Sequence, residues 1–516
     1  MARNRITYAS QSVWANGELL YRVQSLGTTT TFTSEDIFEL GHLDIVDIVD
    51  DVPSVAVTMN TNDFGDVKTL ATLAQVALGR KTMTANASQT NANLVSGATY
   101  LHGVCLADFA VVCGNLPGVT MWAPVQSQCD IGTLANNIDQ TLFLDDVFVN
   151  SLEFSYTQGA NATENYGAET DNKMWLLNNG RFVNYLDTTV SGTDVANGYI
   201  VLADMGYDAT STIPTLSTGN LGFLRKDANG NSAVTFYDAS TVDMKNIAVQ
   251  AGTSADVSAF VFDTSNGRLW FPSGLAVSAG DIVQMVFSAD KYSAPMNKYF
   301  SLLTASERPN SVGTLRQGQV EIYLYDPSVG GNLENMWRLT GATLSVELTR
   351  EPLSELGRLG PYDRPLTMPI PITATIESTA GDLENWAKFA GQDFTAIDDI
   401  DLTDLMTKDN LILVIKVFRQ TDEEAGGTGS GRKALTINGD WYMEDGVAGT
   451  YALATNKERA LKTIIVKNLK ITDEGMTLDM GANATQTFGF RSNNDLFVVK
   501  GDISAALLAD IARNAS

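Results

Sequence analysis

The pentapeptide Gly159-Ala160-Asn161-Ala162-Thr163 recurs letter for letter as Gly481-Ala482-Asn483-Ala484-Thr485, 322 residues later. A second ungapped match, at a distance of 316 residues, aligns residues 12–74 with 328–390 and contains 17 identities in 63 positions. Chance would give about four identities over that length, and the period is far longer than that of a solenoid. The sequence therefore predicts the duplication of a whole domain.

The two distances divide the chain into three units. Copy one covers residues 1–177, copy two covers 317–516, and residues 178–316 form an insert without a counterpart. The change from 316 to 322 means that copy two holds six net extra residues, which we place in the glycine-containing loop Thr421–Lys433.

Each copy has the pattern of strands with one helix. Apolar residues alternate in both copies, after a one-residue slip, and this indicates a half-buried strand; they are Val55, Val57 and Met59 in copy one and Ile372, Ala374 and Ile376 in copy two. A helix is predicted over 66–74 and again over 382–390, each led by an aspartate. Its apolar face would hold Val67, Leu70, Ala71 and Ala74, or Leu383, Trp386, Ala387 and Ala390.

The remaining patterns also favour β structure. Short runs at 141–144, 147–156 and 463–466 predict strands, as do Met174-Trp175-Leu176 and Leu496-Phe497-Val498, and the repeated pentapeptide predicts hairpin turns. In the insert, 227–231 and 263–267 look like hairpin turns, and the size is similar to that of an immunoglobulin-like sandwich. The predicted fold class is mainly β: two tandem sandwich or barrel domains, each with one packed helix, plus an inserted β-sandwich.

Composition excludes several function classes. The chain has 516 residues, 60 acidic against 34 basic side chains and a net charge of −26, which argues against gripping nucleic acid or anionic lipid. Two histidines and no nominated carboxylate pair argue against an enzyme. Three cysteines favour a reducing cytoplasm, and no signal peptide or membrane span is expected.

Three motifs are weak candidates for ligand sites. The loop 426–433 lacks the Lys-Ser/Thr ending of a phosphate-binding loop, and the set His102, Cys105, Cys113 and Cys129 has no standard zinc spacing. Asp227-x-Asn229-x-Asn231 begins like a calcium loop, but its glycine is misplaced. We predict no metal, no cofactor and no catalytic residue.

The repeated blocks carry a family resemblance. Leu20–Ser25, Ile37–Gly41 and Asp50–Thr58, together with the strand Val147–Tyr156 and Asn161–Asn165, resemble tail tube proteins of tailed viruses such as bacteriophages. The resemblance covers both copies and not the insert. It implies rings of six β-domains stacked around a DNA channel, with three two-domain chains in each pseudo-hexameric ring.

The function implied by the resemblance is a structural virion protein. It would be assembled in the host cytoplasm into the virion tail, with itself and other tail proteins as partners, and viral DNA would pass without sequence-specific binding. A tail terminator or a baseplate hub ring is the alternative, and a surface-layer repeat protein is a further one. The insert would decorate the outside of the tube.

Charge separates the two copies in the region where the family has a long inter-ring loop. Residues 23–67 contain no Lys or Arg and nine acids, whereas copy two has Arg350, Arg358 and Arg364 there. We expect inter-ring or inter-subunit contacts between the two loops; the candidate residues are Asp44, Asp47, Asp50, Asp51, Arg358 and Arg364. Two independently drifting solvated loops are the alternative.

Overall fold

The computed structural model describes residues 11–20, 22–40, 43–50, 53–62, 68–73, 104–105, 119–125, 140–170, 172–177, 182–207, 213, 221–227, 229–241, 243–290, 320–325, 334–336, 338–353, 356, 361, 364–379, 385, 389, 411–418, 421–422, 432–437, 440–444, 451–453, 460–477, 484–493 and 496–500. Strands make up most of these residues and helices are short, so the predicted mainly β fold class is confirmed.

Copy one contributes the first eleven strands and a short helix. They are β1 (Trp14–Ala15), β2 (Glu18–Leu19), β3 (Val23–Thr31), β4 (Ser34–Phe38), β5 (Ile45–Asp50), β6 (Ser54–Thr61), α1 (Lys68–Leu73), β7 (Val104–Cys105), β8 (Val119–Val125), β9 (Gln140–Thr157), β10 (Thr163–Thr170) and β11 (Asn172–Leu177).

The insert contributes seven strands and a second short helix. They are β12 (Phe182–Thr189), α2 (Gly192–Asn197), β13 (Tyr199–Val201), β14 (Ala233–Asp238), β15 (Asp243–Ala251), β16 (Phe260–Asp263), β17 (Arg268–Trp270) and β18 (Ile282–Ala289).

Copy two contributes the last twelve strands. They are β19 (Val320–Tyr325), β20 (Glu334–Asn335), β21 (Leu339–Glu347), β22 (Pro371–Thr379), β23 (Leu411–Phe418), β24 (Thr421–Asp422), β25 (Arg432–Ile437), β26 (Asp440–Glu444), β27 (Tyr451–Leu453), β28 (Ala460–Thr477), β29 (Thr485–Asn493) and β30 (Leu496–Lys500).

One long strand links the two sheets of copy one. The first part of β9 pairs with β8 and β11 in what we call the outer sheet, β2-β1-β8-β9-β11. Its last part pairs with β10 in the inner sheet, β3-β6-β10-β9. The strand changes sheets near Asp146, which has a positive φ of 52°, and the register shifts just beyond it. Strand corners of this kind commonly use such irregular residues. The separate runs predicted at 141–144 and 147–156 are therefore one strand.

Copy two repeats this plan strand for strand. Its inner sheet is β21-β22-β29-β28 and its outer sheet is β20-β19-β23-β28-β30, to which β7 of copy one adds beside β30. Residues with positive φ also recur at equivalent positions. Arg338 (φ 55°) corresponds to Arg22, and Asn468 (φ 52°) corresponds to Asp146. Non-glycine residues rarely adopt this conformation. The copies therefore share backbone detail as well as strand order.

Strand registers refine the sequence alignment in two places. The one-residue slip is real, since Met59 lies opposite Leu26 as Ile376 lies opposite Ala342. By contrast, β19 takes the place of β1, so Trp14 corresponds to Tyr323 and not to the residues matched at 328–332. Those residues lie outside the described part of the chain. Identity of letters there does not mark the equivalent strand.

The six extra residues are the net result of two larger differences. Strand β8 pairs with β9 as β23 pairs with β28, so β8 and β23 are equivalent. Copy two is shorter than copy one before this pair of strands and longer after it. The longer part holds the four-stranded meander β24-β25-β26-β27. The loop predicted to hold the extra residues lies in this meander, and 423–431 fall outside the described residues.

Helix and turn predictions have mixed outcomes. In α1 the buried side chains are Thr69, Leu70 and Leu73; in copy two, Asn385 and Phe389 are helical and buried at the positions equivalent to Thr69 and Leu73. The predicted face omitted Leu73 and its equivalent. Positions 67, 74, 383, 386, 387 and 390 are outside the described residues, as is the side chain of Ala71. The hairpin turn predicted at 159–163 is confirmed between β9 and β10, and the turns at 227–231 and 263–267 are confirmed as well, whereas 481–483 of the second pentapeptide lie outside the described residues.

The insert forms a seven-stranded sheet with the order β12-β18-β14-β15-β16-β17-β13. Strands β15 and β16 are parallel, and the other pairs are antiparallel. This differs from the purely antiparallel sheets of an immunoglobulin constant domain. An aromatic-rich core of its own surrounds Phe223, Phe260 and Phe287.

The insert docks on the outer sheet of copy one through an aromatic cluster. Trp14 and Trp122 stack with ring centroids 6.0 Å apart, and Phe143 joins them. Phe182 and Tyr185 of the insert pack into the same buried cluster. The equivalents of Trp122 and Phe143 in copy two are Val414 and Ile465, so two of the three aromatic rings that copy one contributes are replaced by aliphatic side chains.

A buried ion pair accompanies the aromatic cluster. Arg225 of the insert places Nε 3.2 Å from Oδ1 of Asp145, with side chains 2% and 4% exposed. Burial alone would lower the pKa of the Arg225 guanidinium, but the Asp145 and Asp146 carboxylates outweigh it and raise that pKa. Arg225 also donates to Thr235 and Gln284 of the insert. The residue equivalent to Asp145 in copy two is Lys467, which would repel such an arginine.

Candidate functional site

The inner sheets of the two copies join into one continuous sheet. Strand β9 of copy one pairs antiparallel with β21 of copy two, from Thr157 opposite Gly341 to Ser151 opposite Glu347. The combined order is β3-β6-β10-β9-β21-β22-β29-β28. We call the β9–β21 contact the internal junction.

The core-facing side of the internal junction is lined by apolar residues. Leu152, Phe154 and Tyr156 from β9 are buried opposite Val346, Leu344 and Ala342 from β21. All six belong to a single hydrophobic core that runs through both copies. At about 25 cal/mol per Å² of buried apolar surface, such a contact contributes strongly to stability. The two copies therefore form one folded body.

A buried charge pair lies beneath the internal junction. Lys462 of β28 contacts Glu164 of β10, and both side chains are 1% exposed. The ammonium also lies over the ring of Phe154, 4.7 Å from its centroid. Tyr166 donates its hydroxyl to the second carboxylate oxygen of Glu164 at 2.8 Å. The pair links copy one to copy two, and neither residue was predicted as a site residue from the sequence.

Tyr156 lies beside this pair in an apolar setting. Burial raises the pKa of the Tyr156 hydroxyl well above its usual range, and the Glu164 charge raises it further. The hydroxyl oxygen has no hydrogen-bond partner among the described residues. A buried hydroxyl that is neutral and has no hydrogen-bond partner lowers the free energy of unfolding. In the described part of the chain, no catalytic arrangement of side chains surrounds it.

The combined sheet ends in two open edges, which we call the β3 edge and the β28 edge. Among the described strands, β3 pairs only with β6, and residues 470–477 of β28 pair only with β29. The β3 edge is equivalent to β21, and the β28 edge is equivalent to the last part of β9. The edges thus correspond to the two halves of the internal junction. Unpaired strand edges readily add another strand.

The face of the combined sheet turned away from the core is polar, and we call it the open face. Its residues are mostly Ser, Thr, Asn and Gly, and Asn60, Asn165 and Glu153 form an amide-to-carboxylate chain across three strands. Acidic residues on this face outnumber basic ones in the described part of the chain; they are Glu153, Glu169, Glu347, Glu377 and Asp473 against Lys470 and Arg491. Such a surface offers few cations to phosphate groups.

The predicted acidic loop of copy one is a hairpin, which we call the acidic hairpin. It consists of β4 and β5, which pair only with each other among the described strands, and every residue of both strands is exposed. Asp44, Asp47 and Asp50 lie on it, while Asp51 is outside the described residues. It also exposes Ile37, Phe38, Leu40, Leu43, Ile45, Val46, Ile48 and Val49. An isolated two-stranded hairpin has little stability of its own, and a cluster of exposed apolar residues is a common feature of interaction surfaces.

The predicted arginine partners are placed differently. Arg364 donates from Nη1 to Oε1 of Glu169 in copy one at 2.6 Å, and its side chain is mostly buried. Arg350 donates to the carbonyls of Val149 and Arg364. Arg364 therefore bridges the two copies inside one chain. We had expected it to contact the acidic loop of a neighbouring subunit or ring. Arg358 lies outside the described residues, and a contact between chains stays a prediction.

The described residues contain neither a group of metal ligands nor a membrane-spanning helix. No group of three His, Cys, Asp or Glu side chains in that part of the chain could hold a metal ion. Of the four soft ligands considered, His102, Cys113 and Cys129 lie outside the described residues, and Cys105 is in β7. Asp227 accepts hydrogen bonds from its own turn. Within the same limits, no helix has the length and apolarity needed to cross a bilayer.

Comparisons with known proteins do not assign this chain to a family. No protein-family model matches the sequence, and no curated protein matches it significantly. The sheet edges, the open face and the acidic hairpin are therefore the features on which a function can be argued.

Proposed function

We propose that the chain is the subunit of a viral tail tube, in which three chains close into a pseudo-hexameric ring. The observation that carries this proposal is the internal junction, because the same two strand edges are present again at the ends of the combined sheet, where the described strands provide them with no partner. In the ring, the β28 edge of one chain pairs with the β3 edge of the next, as β9 pairs with β21.

A head-to-tail contact of this kind repeats until the rotation closes. Each chain adds eight strands to a common inner wall, and closure leaves no edge of that wall exposed. The polar open face then lines the channel. Its excess of acids disfavours phosphate binding, so DNA passes along the wall and is not held by it.

Stacking of rings into a tube requires a second contact, which we assign to the acidic hairpin. Its exposed apolar residues would be covered by the neighbouring ring, and its carboxylates would face basic residues there. Arg358 remains the candidate partner. We place the subunit in the virion tail on this basis.

Cross-linking tests the ring contact. The register of the internal junction pairs Leu344 with Phe154, and the equivalent residues on the open edges are Thr28 and Met476. The double variant Thr28→Cys/Met476→Cys should form disulfide-linked trimers under oxidising conditions. The control Thr29→Cys/Met476→Cys places one thiol on the opposite face and should not cross-link, since successive strand residues alternate faces.

Electron microscopy then separates the possible assemblies. Stacked rings with threefold or pseudo-sixfold symmetry support a tube, and rings that do not stack favour a terminator or hub ring. Arg358→Glu should leave rings intact and reduce stacking. A chain that stays monomeric at high concentration and gives no register-specific cross-link contradicts the proposal.

A further inference from the structure

The open edges differ from the internal junction at a set of equivalent positions. Leu152, Val346 and Leu496 are buried in the core that runs through the internal junction. At the open edges, Glu474 is equivalent to Leu152, Thr30 to Val346 and Lys173 to Leu496. All three of these residues are only partly buried. Three apolar side chains are thus replaced by an acid, a hydroxyl and a base.

The basic member is already positioned on the β3 edge. Lys173 of β11 donates from Nζ to Oγ1 of Thr30 at 3.1 Å, in a partly buried contact. The ammonium group of Lys173 therefore lies next to Thr30 on the edge strand. With the register of the internal junction, the next chain would pair at this residue.

The acidic member is positioned on the β28 edge. Glu474 is half-buried, and its Oε1 accepts a hydrogen bond from Nε2 of Gln486 at 3.3 Å. Because Leu152 lies opposite Val346 in the internal junction, the equivalent register puts Glu474 opposite Thr30 of the next chain.

We propose that Glu474 of one chain forms an ion pair with Lys173 of the next, over Thr30, and that this pair holds the contact between chains. The inference rests on the proposed ring and names the residues that recognise a second copy of this chain. The internal junction is sealed by apolar side chains, whereas the junction between chains is held by charge.

The buried ion pair of the internal junction shows the opposite exchange, because its charged residues are replaced by uncharged ones in the junction between chains. The positions equivalent to Glu164 and Lys462 are Gln486 and Gln140, so the junction between chains has two amides where the internal junction has a salt bridge. Pairing copy one with copy one would bring Glu164 to Gln140 and Leu152 to Lys173. Each mismatch buries a charge without its partner, and such burial is costly. The two charge sets therefore make the copies alternate around the ring.

Charge reversal in the full-length chain tests the pair. Glu474→Lys and Lys173→Glu should each raise the concentration needed for assembly roughly tenfold or more, because like charges would meet in a partly buried contact. The double variant Glu474→Lys/Lys173→Glu should restore assembly. Asp204→Lys, at an exposed site of the insert, matches the change in net charge of Glu474→Lys and should assemble normally.

Sedimentation velocity across a salt series gives the readout, with thermal unfolding to confirm that each variant is folded. Wild-type assembly should weaken as salt rises, and the neutral pair Glu474→Gln/Lys173→Met should lose that dependence. The idea fails where the reversed double variant assembles no better than the single variants. The Thr28→Cys/Met476→Cys cross-link reports the ring contact separately, so loss of the ion pair and loss of the ring are distinguishable outcomes.

Discussion

The internal junction and the two open edges are built from equivalent strands, yet they present different chemistry. The internal junction buries Phe154 and Leu344 in a shared core, and the equivalent positions on the open edges are Met476, which is 55% exposed, and Thr28. A duplicated chain can make one contact permanent and keep the other reversible. A single-domain subunit must use the same side chains at every contact.

The largest expected effect comes from matched truncations at equivalent positions. Phe154→Ala should lower the free energy of unfolding by about 3–5 kcal/mol, because a fully buried aromatic ring leaves a cavity. Met476→Ala should change it by less than about 0.5 kcal/mol, since the side chain is mostly exposed. Urea denaturation of the unassembled chain measures both. Equal losses for the two variants would show that the edges are not chemically distinct.

A second test concerns the buried ion pair. Lys462→Met leaves the Glu164 carboxylate buried without its cation and should cost about 3 kcal/mol. The double variant Glu164→Gln/Lys462→Gln copies the amides of the open edges and should recover most of that loss. The coupling between the two positions follows from a double-mutant cycle in chemical denaturation, with Glu164→Gln and Lys462→Gln as the single variants. Purely additive losses would mean that the pair does not act as a unit.

The smallest expected effect is a gain in stability at Tyr156. Tyr156→Phe removes a buried hydroxyl that has no hydrogen-bond partner among the described residues, and it should raise the free energy of unfolding by about 1 kcal/mol. Thermal and urea unfolding of the variant measure the change. A loss of stability would mean that the hydroxyl has a bonding role in the internal junction, and the contrast with the open edges would then be smaller.

Local patterns predicted much of the fold. The alternation at Val55, Val57 and Met59 gives the correct buried face, and the repeated pentapeptide marks the hairpin between β9 and β10. Both features depend on neighbours in sequence, and strand periodicity and turn chemistry are readable at that range. The change of sheet at Asp146 was missed, because positive φ at an aspartate has no reliable sequence signal.

The sheet contacts depend on residues far apart in the chain, and these were not predicted. Glu164 and Lys462 are 298 residues apart, and neither differs locally from an ordinary strand charge. Their equivalents, Gln486 and Gln140, provide a signal once the copies are aligned, since a matched exchange of two charges for two amides points to a contact. Arg364 was assigned to an exposed loop because its partner, Glu169, belongs to the other copy.

The docking of the insert on one copy has a consequence for symmetry. Arg225 finds Asp145 in copy one, whereas copy two has Lys467 at the equivalent position. In the proposed ring, the inner wall approximates sixfold symmetry, while the outer surface carries inserts on alternate domains and is strictly threefold. A ligand or host factor that binds the insert would therefore meet three sites per ring, spaced by bare domains.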